Sequence, residues 1–200
     1  MNTFVSMEHK NYIIHKPYGY LSQFVNNQNK RKNKKLLGEL YDLPEETMAI
    51  GRLDEDSEGL LLLTTNGKLS EQIRSDKVEK EYYVQVDGIV SEEEIISLRK
   101  GVEISINGKK FQTKKCAARI IDNPGFPERS RKVRDDRHGP TSWISVTISE
   151  GKFRQVRKMT AVVMHPTLRL IRVRIGAISL DSLKSGEIIE NFDNFEQAFK

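Results

Sequence analysis

The densest group of side chains that could perform chemistry lies in residues 51–64, GRLDEDSEGLLLLT. Arg52, Asp54, Asp56 and Glu58 fall within seven residues, and an unbroken aliphatic run follows them directly. The run is too short for a stable isolated helix and precedes a turn signal, so it predicts a buried strand. Asp54 is thus a carboxylate held near an apolar core with an arginine two residues away, which makes it a candidate catalytic group.

Metal binding is one alternative for these acids. The order Asp-x-Asp-x-Glu-Gly imitates the start of a calcium loop, but the twelfth position is Thr65, where a bidentate acid is needed. One cysteine and four scattered histidines offer no zinc ligand pair at the usual spacing. We therefore expect no metal site.

Other common kinds of active site also lack their motifs. The chain contains no G-x-S-x-G, Walker or G-x-G-x-x-G sequence. What remains is one acidic residue in a short turn. An aspartate that acts as a covalent nucleophile must stay ionised and be partly desolvated, which requires a nearby cation. Arg157 and Arg52 are both available as that cation.

Basic residues form three clusters around the acidic turn. Lysines and arginines outnumber acids by 33 to 28. Five of them, with no acid, lie in residues 26–35, and the other clusters lie at 129–137 and 152–174. A single cluster fits a solvated surface loop about as well, but three together favour a polyanion such as nucleic acid.

Simpler features of the sequence bear on the cellular compartment and on membrane insertion. No apolar run approaches the roughly 18–20 residues that span a bilayer, and the first residues show no signal-peptide pattern. The single cysteine, Cys116, permits no internal disulfide and lies in a strand-like stretch, which favours packing over nucleophilic chemistry. We expect a cytoplasmic protein that does not enter a membrane.

Periodicity predicts more strands than helices. The predicted strands are 11–15, 21–25, 48–50, 60–63, 80–86, a hairpin at 104–111, 115–121, 141–149 and 168–177. The predicted helices are 36–43, 68–75, 91–100, 151–164 and a short one within 186–200.

Two of these elements carry candidate site residues. Tyr82 shares a strand face with Val84 and Val86, so a packed core tyrosine competes with a functional one. In helix 151–164, Phe153 falls on a packed face, whereas Arg154, Arg157 and Lys158 share a cationic face.

Three segments, taken in order, carry a family resemblance. GRLDEDSEGLLLLTTNG resembles the central motif of the pseudouridine synthases, in the branch that modifies ribosomal RNA. Lys80-Glu81-Tyr82 resembles that family's K-x-Y strand, and EGKFRQVRKM with HPTLRLIRVRIG resembles its closing motif. Three motifs in register, covering most of residues 11–180, are highly specific, whereas a lone R-L-D would be weak.

The resemblance implies an α+β pseudouridine synthase fold: a mixed, mainly antiparallel sheet with flanking helices and a central RNA-binding cleft. It implies Asp54 as the catalytic aspartate, Tyr82 stacked on the target base and helping to remove its C5 proton, and Arg157 paired with Asp54. A uridine within RNA would be detached at its N1–C1′ bond, turned and rejoined through C5, with no metal or cofactor. Asp54 would attack C1′ or C6, and the target must leave the helical stack.

Within that branch, the chain is similar to compact large-subunit enzymes that lack an RNA-binding domain of the S4 type. This implies a single catalytic domain over 1–200, with its core at about 11–180 in two lobes. The expected partner is 23S ribosomal RNA, free or in an assembly particle, and the expected state is a monomer. A non-catalytic RNA-binding or ribosome-assembly protein on the same fold is the alternative.

Without an appended domain, the basic loop 26–35 and the polar excursion 122–140 are expected to hold the RNA. The expected RNA-binding side chains are Arg52, Lys16, Lys30, Arg31, Lys32, Lys34, Lys35, Lys80, Arg154 and Lys158. One departure from the family is Met164, which stands where a glycine is usual and predicts an altered helix end.

Overall fold

The computed structural model describes residues 9–25, 33–75, 77–134, 136–190 and 195–199. In these ranges the strands are β1 (Asn11–Lys16), β2 (Tyr20–Leu21), β3 (Lys35–Leu36), β4 (Met48–Ala49), β5 (Glu58–Thr64), β6 (Lys80–Asp87), β7 (Glu103–Ile106), β8 (Lys109–Gln112), β9 (Ala117–Ile121), β10 (Thr141–Ile148), β11 (Thr167–Ile175), β12 (Ile178–Ser179) and β13 (Ile188–Glu190). The α-helices in the same ranges are α1 (Gly67–Arg74), α2 (Glu92–Lys100) and α3 (Gln155–Val162).

Most of these strands join one sheet, in the order β13-β1-β5-β11-β6-β10-β9, with β4 beside β5 and β12 beside β11. Neighbouring strands of this sheet run antiparallel except β5 and β11, which run parallel. The predicted mixed, mainly antiparallel sheet is therefore confirmed. The parallel pair brings the residues that follow the acidic turn next to an arginine-rich strand.

Strand β5 lies at the centre of the fold. All four leucines of its aliphatic run are fully buried. Leu60 and Leu62 pack in one hydrophobic cluster, and Leu61 and Leu63 pack in another. Successive side chains of a strand point to opposite faces, so an unbroken aliphatic run fits a strand that is covered on both sides. The buried strand predicted at 60–63 is confirmed.

The helices cover the sheet, and α2 begins close to its predicted start. Helix α2 starts at a capping box, in which the Glu94 carboxylate accepts a hydrogen bond from the Ser91 N–H at 2.6 Å. It buries Ile95 and Leu98 among side chains of β6 and β10. None of the helices in the described residues is long and apolar enough to cross a membrane.

Two predicted helices are wrong. Residues 36–43 form only β3 and a 3₁₀ turn at Leu37–Glu39, because β3 pairs in parallel with β2 and holds the chain extended. Part of 186–200 is strand β13, which pairs with the outer edge of β1, and the described residues after it contain only a 3₁₀ turn at Gln197–Phe199. An open sheet edge offers backbone partners that outweigh a weak local helical preference.

Candidate active site

A cleft of about 1080 Å³ opens between the acidic turn that precedes β5 and the turn that precedes α3. Asp54, Tyr82, Lys80, Phe153, Arg154 and Arg172 are among its lining residues. The two motifs that contain Asp54 and Arg154 are about a hundred residues apart in sequence, and the fold brings them face to face.

The backbone around Asp54 is held on both sides. Ser22 pins the preceding residue, since its hydroxyl accepts from the Leu53 N–H at 3.0 Å and donates to the Leu53 carbonyl at 2.9 Å. On the other side the Ser57 N–H donates to the Asp54 carbonyl at 3.0 Å. Leu53 itself is buried in the core. The Asp54 side chain, 29% exposed, is therefore presented to the cleft from a fixed support.

Two arginines of the closing motif converge on the acidic turn. Arg154 lies 3.3 Å from the Asp54 carboxylate and forms two hydrogen bonds of 2.9 Å with the Asp56 carboxylate. Arg157 donates to the Asp56 carbonyl at 2.7 Å and lies 3.4 Å from the Asp56 carboxylate. The expected Asp54–Arg157 pair is thus corrected, because Arg154 makes the direct contact with Asp54 and Arg157 supports the turn from beneath.

The acids and arginines of this network shift one another's pKa values. Burial alone would raise the pKa of Asp56, but the hydrogen bonds from Arg154 and the charge of Arg157 outweigh it and hold that pKa below its usual range. Burial lowers the pKa of Arg157, and the neighbouring Asp56 opposes that effect. Asp56 is consequently the anion that anchors both arginines.

Arg154 reaches the acids because of an unusual backbone conformation. It is the residue before α3 and has φ +52°, in the left-handed region. The flanking turn is held by Gln155, whose side chain accepts from the Lys152 N–H at 3.0 Å and donates to the buried Glu150 at 2.7 Å. The helix predicted from 151 thus begins only at Gln155, and Phe153, predicted to pack, is 63% exposed at the cleft rim.

Tyr82 lies in β6, half-buried beneath the cleft, and packs against the core clusters on that face. It lines the cleft together with Asp54. Cys116 has the packing role that was predicted: its thiol donates to the Leu98 carbonyl at 3.1 Å, and burial raises its pKa to about 11.

One predicted RNA-binding residue is corrected by its burial. Lys16 has no exposed surface, and its ammonium donates to the carbonyls of Pro17 and Tyr20 at 2.8 and 2.7 Å. Burial lowers its pKa to about 8, against the opposing charge of Glu58 and the other nearby acids. A lysine enclosed in this way holds the turn after β1 and does not reach a phosphate.

The other predicted cations have varied surroundings. Arg52 is exposed at the cleft, and Lys158 lies 5.2 Å from the centre of the Phe153 ring. Lys34 pairs with Glu55 at 2.8 Å, and Lys35 lies over a tyrosine ring. Lys80 donates to two backbone carbonyls at 2.7 and 3.2 Å. Lys30, Arg31 and Lys32 lie outside the described residues.

Glu58, the last acid of the 51–64 motif, is the buried first residue of β5. It is 2% exposed and accepts two hydrogen bonds, of 2.8 and 2.9 Å, from the buried Arg169. Asp56 is also paired with arginines, so both Asp56 and Glu58 face guanidinium groups. Elsewhere in the described residues, no group of three or more His, Cys, Asp or Glu side chains could hold a metal ion.

Sequence reasoning also missed Arg172, a buried arginine of β11 that lines the cleft. The only feature of the sequence that could have indicated it is the recurrence of arginines among apolar residues in the strand predicted at 168–177.

Comparison with known families identifies the family to which this cleft belongs. Residues 10–162 match the family model described as RNA pseudouridylate synthase. The chain belongs to the RNA pseudouridine synthases. The match includes the acidic turn, β6 and the cationic turn before α3, and it ends before β11. The chain is accordingly an isomerase that acts on RNA.

Several pseudouridine synthases are similar over most of this chain. Ribosomal large subunit pseudouridine synthase E of Vibrio parahaemolyticus is 42% identical over 177 residues, which cover 88% of this chain and 71% of that protein. The enzyme of the same name from Xanthomonas campestris is 42% identical over 178 residues, covering 88% and 91%. A solved pseudouridylate synthase superposes with a TM-score of 0.77 at 27% identity, covering 96% of this chain and 74% of that one. The α+β pseudouridine synthase fold is thereby confirmed.

Proposed function

We propose that this RNA pseudouridine synthase isomerises one uridine of 23S ribosomal RNA, with Asp54 as the nucleophile on a base that has left the helical stack. The observation that carries the proposal is the presentation of Asp54. Its backbone is fixed by Ser22 and Ser57, and its carboxylate faces an open cleft with the Arg154 guanidinium at 3.3 Å. The large-subunit substrate rests on the relatives named ribosomal large subunit pseudouridine synthase E.

The chemistry asks little of the protein beyond placement and charge. Uridine and pseudouridine contain the same atoms, so the reaction requires no redox partner and no second substrate. Asp54 supplies the attacking oxygen, on C1′ or C6, while Arg154 offsets its charge and holds its orientation. Tyr82 supplies an aromatic surface for the extruded base, which offsets part of the cost of unstacking.

Arg157 is assigned a different role from the one implied by the family resemblance. Because it contacts the carbonyl and the carboxylate of Asp56, it stabilises the turn that carries Asp54. It is a positioning residue, and Arg154 takes the direct electrostatic contact with the nucleophile.

The RNA backbone is assigned to the rim of the cleft. Arg52 and Lys158, with the basic residues of 26–35, would contact phosphates, and the exposed Phe153 also lines the cleft. Basic side chains of this kind position a nucleic acid without reading its sequence. We further propose that residues 1–200 act as a single catalytic domain, monomeric and cytoplasmic.

A chemical map of pseudouridine tests the proposal. Ribosomal RNA is taken from cells with the protein, without it, and with Asp54→Asn, and is probed by a pseudouridine-specific reverse-transcription stop. Asp42→Asn, the same chemical change at an exposed position outside the cleft, is the control. We expect one stop in 23S RNA to vanish without the protein and with Asp54→Asn, and to persist with Asp42→Asn. Identical stops in every sample would reject catalysis and leave the RNA-binding alternative.

A further inference from the structure

Arg172 in β11 is a buried cation with no acidic partner among the described residues. It is 5% exposed, and its Nε donates to the Leu60 carbonyl at 2.8 Å. Its Nη2 is buried without any hydrogen-bond partner. By contrast, Arg169 and Arg174 of the same strand both form salt bridges with glutamates. Buried guanidinium groups are normally paired, so an unmatched donor at this place calls for a ligand.

The surroundings of Arg172 place it at the floor of the cleft. In the sheet it lies opposite Tyr82 of β6 and Gly59 of β5. Residues directly opposite each other point to the same face, so the guanidinium shares the side of the sheet that carries the Tyr82 ring. Both side chains line the cleft together with Asp54.

Strand β5 also approaches Arg172 unusually closely. A Cβ atom at Gly59 would lie 2.3 Å from the Arg172 carbonyl oxygen, and Gly59 has φ +103°. Only glycine tolerates this combination. The backbone of Arg172 therefore lies immediately beside the start of β5, opposite a residue that is only two positions after Ser57.

We propose that Arg172 binds the carbonyl edge of the target uracil and stabilises the negative charge that the base carries during isomerisation. This inference rests on the proposed function. If Asp54 attacks C1′, the N1–C1′ bond breaks with its electron pair on N1, delocalised over O2 and O4. If Asp54 attacks C6, the electron pair of the C5–C6 double bond moves towards O4.

Both routes thus place negative charge on O4. On the C6 route the N1–C1′ bond also breaks before C5 is joined to C1′. Both routes then form the C5–C1′ bond, lose the proton on C5, gain one on N1 and release the carboxylate, so that no atom is gained or lost overall. Arginine offers only donors, and uracil O2 and O4 are only acceptors. A fixed donor in a water-poor site, directed at developing charge, is the arrangement that lowers such barriers most.

The test uses a matched pair of variants, Arg172→Lys and Arg169→Lys. Both make the same change in the same buried strand, but Arg169 is already paired with Glu58. The substrate is a synthetic stem-loop that contains the uridine mapped by the stop assay, and the reading is the single-turnover rate constant at saturating enzyme. We expect Arg172→Lys to lower the single-turnover rate constant at least about tenfold, and up to about the hundredfold that is typical of losing one such donor. The RNA dissociation constant should change less than about threefold. Arg169→Lys should lower the melting temperature and leave the rate constant of the folded protein unchanged.

A second substrate separates a base contact from a structural effect. The same RNA with 4-thiouridine at the target replaces O4 by sulfur, a weaker acceptor. If Arg172 binds O4, sulfur should slow the wild-type enzyme by a clearly larger factor than it slows Arg172→Lys, because the two changes remove one interaction. Equal factors, or an unchanged rate constant for Arg172→Lys, would overturn the inference. If the wild-type enzyme forms no pseudouridine in the unmodified RNA, the proposed function itself fails, and the inference fails with it.

Discussion

Glu58→Gln should destabilise this protein more than any loss of a surface ion pair. Glu58 and Arg169 are 2% and 8% exposed at their side chains and are joined by two short hydrogen bonds. Glutamine keeps the shape but removes the charge, and leaves the guanidinium buried without its counterion. Removing one partner of such a pair costs about 3–5 kcal/mol. For a chain of this size that free energy corresponds to a fall of roughly 6–20 °C in melting temperature.

The measurement is urea unfolding followed by far-UV circular dichroism, with Glu79→Gln as the matched control. Glu79 pairs with Arg174 at 3.1 Å, but its side chain is 60% exposed. Water screens such a pair, so its loss should cost about 0–1 kcal/mol. Replacing both Glu58 and Arg169 by methionine should restore only part of the stability, because Arg129, 4.0 Å from Glu58, and the buried Lys16 also lose the charge of that glutamate. Equal losses for Glu58→Gln and Glu79→Gln would refute the reasoning from burial.

Two further predictions follow from the lysines. Lys16 has a pKa of about 8 in the folded protein against 10.5 when unfolded, so between these values the unfolded chain binds more protons and the free energy of unfolding rises with pH. Lys16→Met removes this dependence. Urea unfolding measured from pH 7 to 10 should show the free energy of unfolding of the wild type rising relative to that of the variant, by up to about 1.4 kcal/mol per pH unit. A difference that does not change with pH would contradict the lowered pKa of Lys16. Neutralising the five basic residues of 26–35 should weaken binding to 23S RNA and reduce its dependence on salt, measured by filter binding at several salt concentrations. Equal affinity and salt slope in the neutralised variant would show that this stretch does not contact RNA. The residues in question are Lys30, Arg31, Lys32, Lys34 and Lys35.

Local sequence patterns determined the elements that are defined by their own residues. The aliphatic run of β5, the alternation in β6 and β10 and the capping box of α2 were all readable, because each depends on neighbours within a few positions. The choice of Asp54 and Tyr82 as site residues also came from the sequence, through three motifs in register. The structure then placed both in one cleft.

Prediction failed where a segment's partner lies far away along the chain. Residues 186–200 contain strand β13 because the edge of β1 lies beside them, which no window within that segment contains. Lys16 looked like a surface cation at a strand end, but the turn after β1 closes over it. Burial is a property of the whole packed molecule, and the composition of a short stretch does not determine it.

Which acids and arginines pair in the site is determined by the tertiary structure. Glu58 and Arg169 are 111 residues apart in sequence, and Asp56 and Arg154 are 98 apart. The left-handed backbone at Arg154, which directs it to Asp54 in place of Arg157, arises from the turn held by Gln155. The sequence motifs identify the residue types of the site and single out Asp54 as the candidate nucleophile. Which cation faces Asp54, and which arginine remains unpaired, was decided only when distant segments packed, because charge pairing depends on distances of a few ångströms that no local pattern encodes.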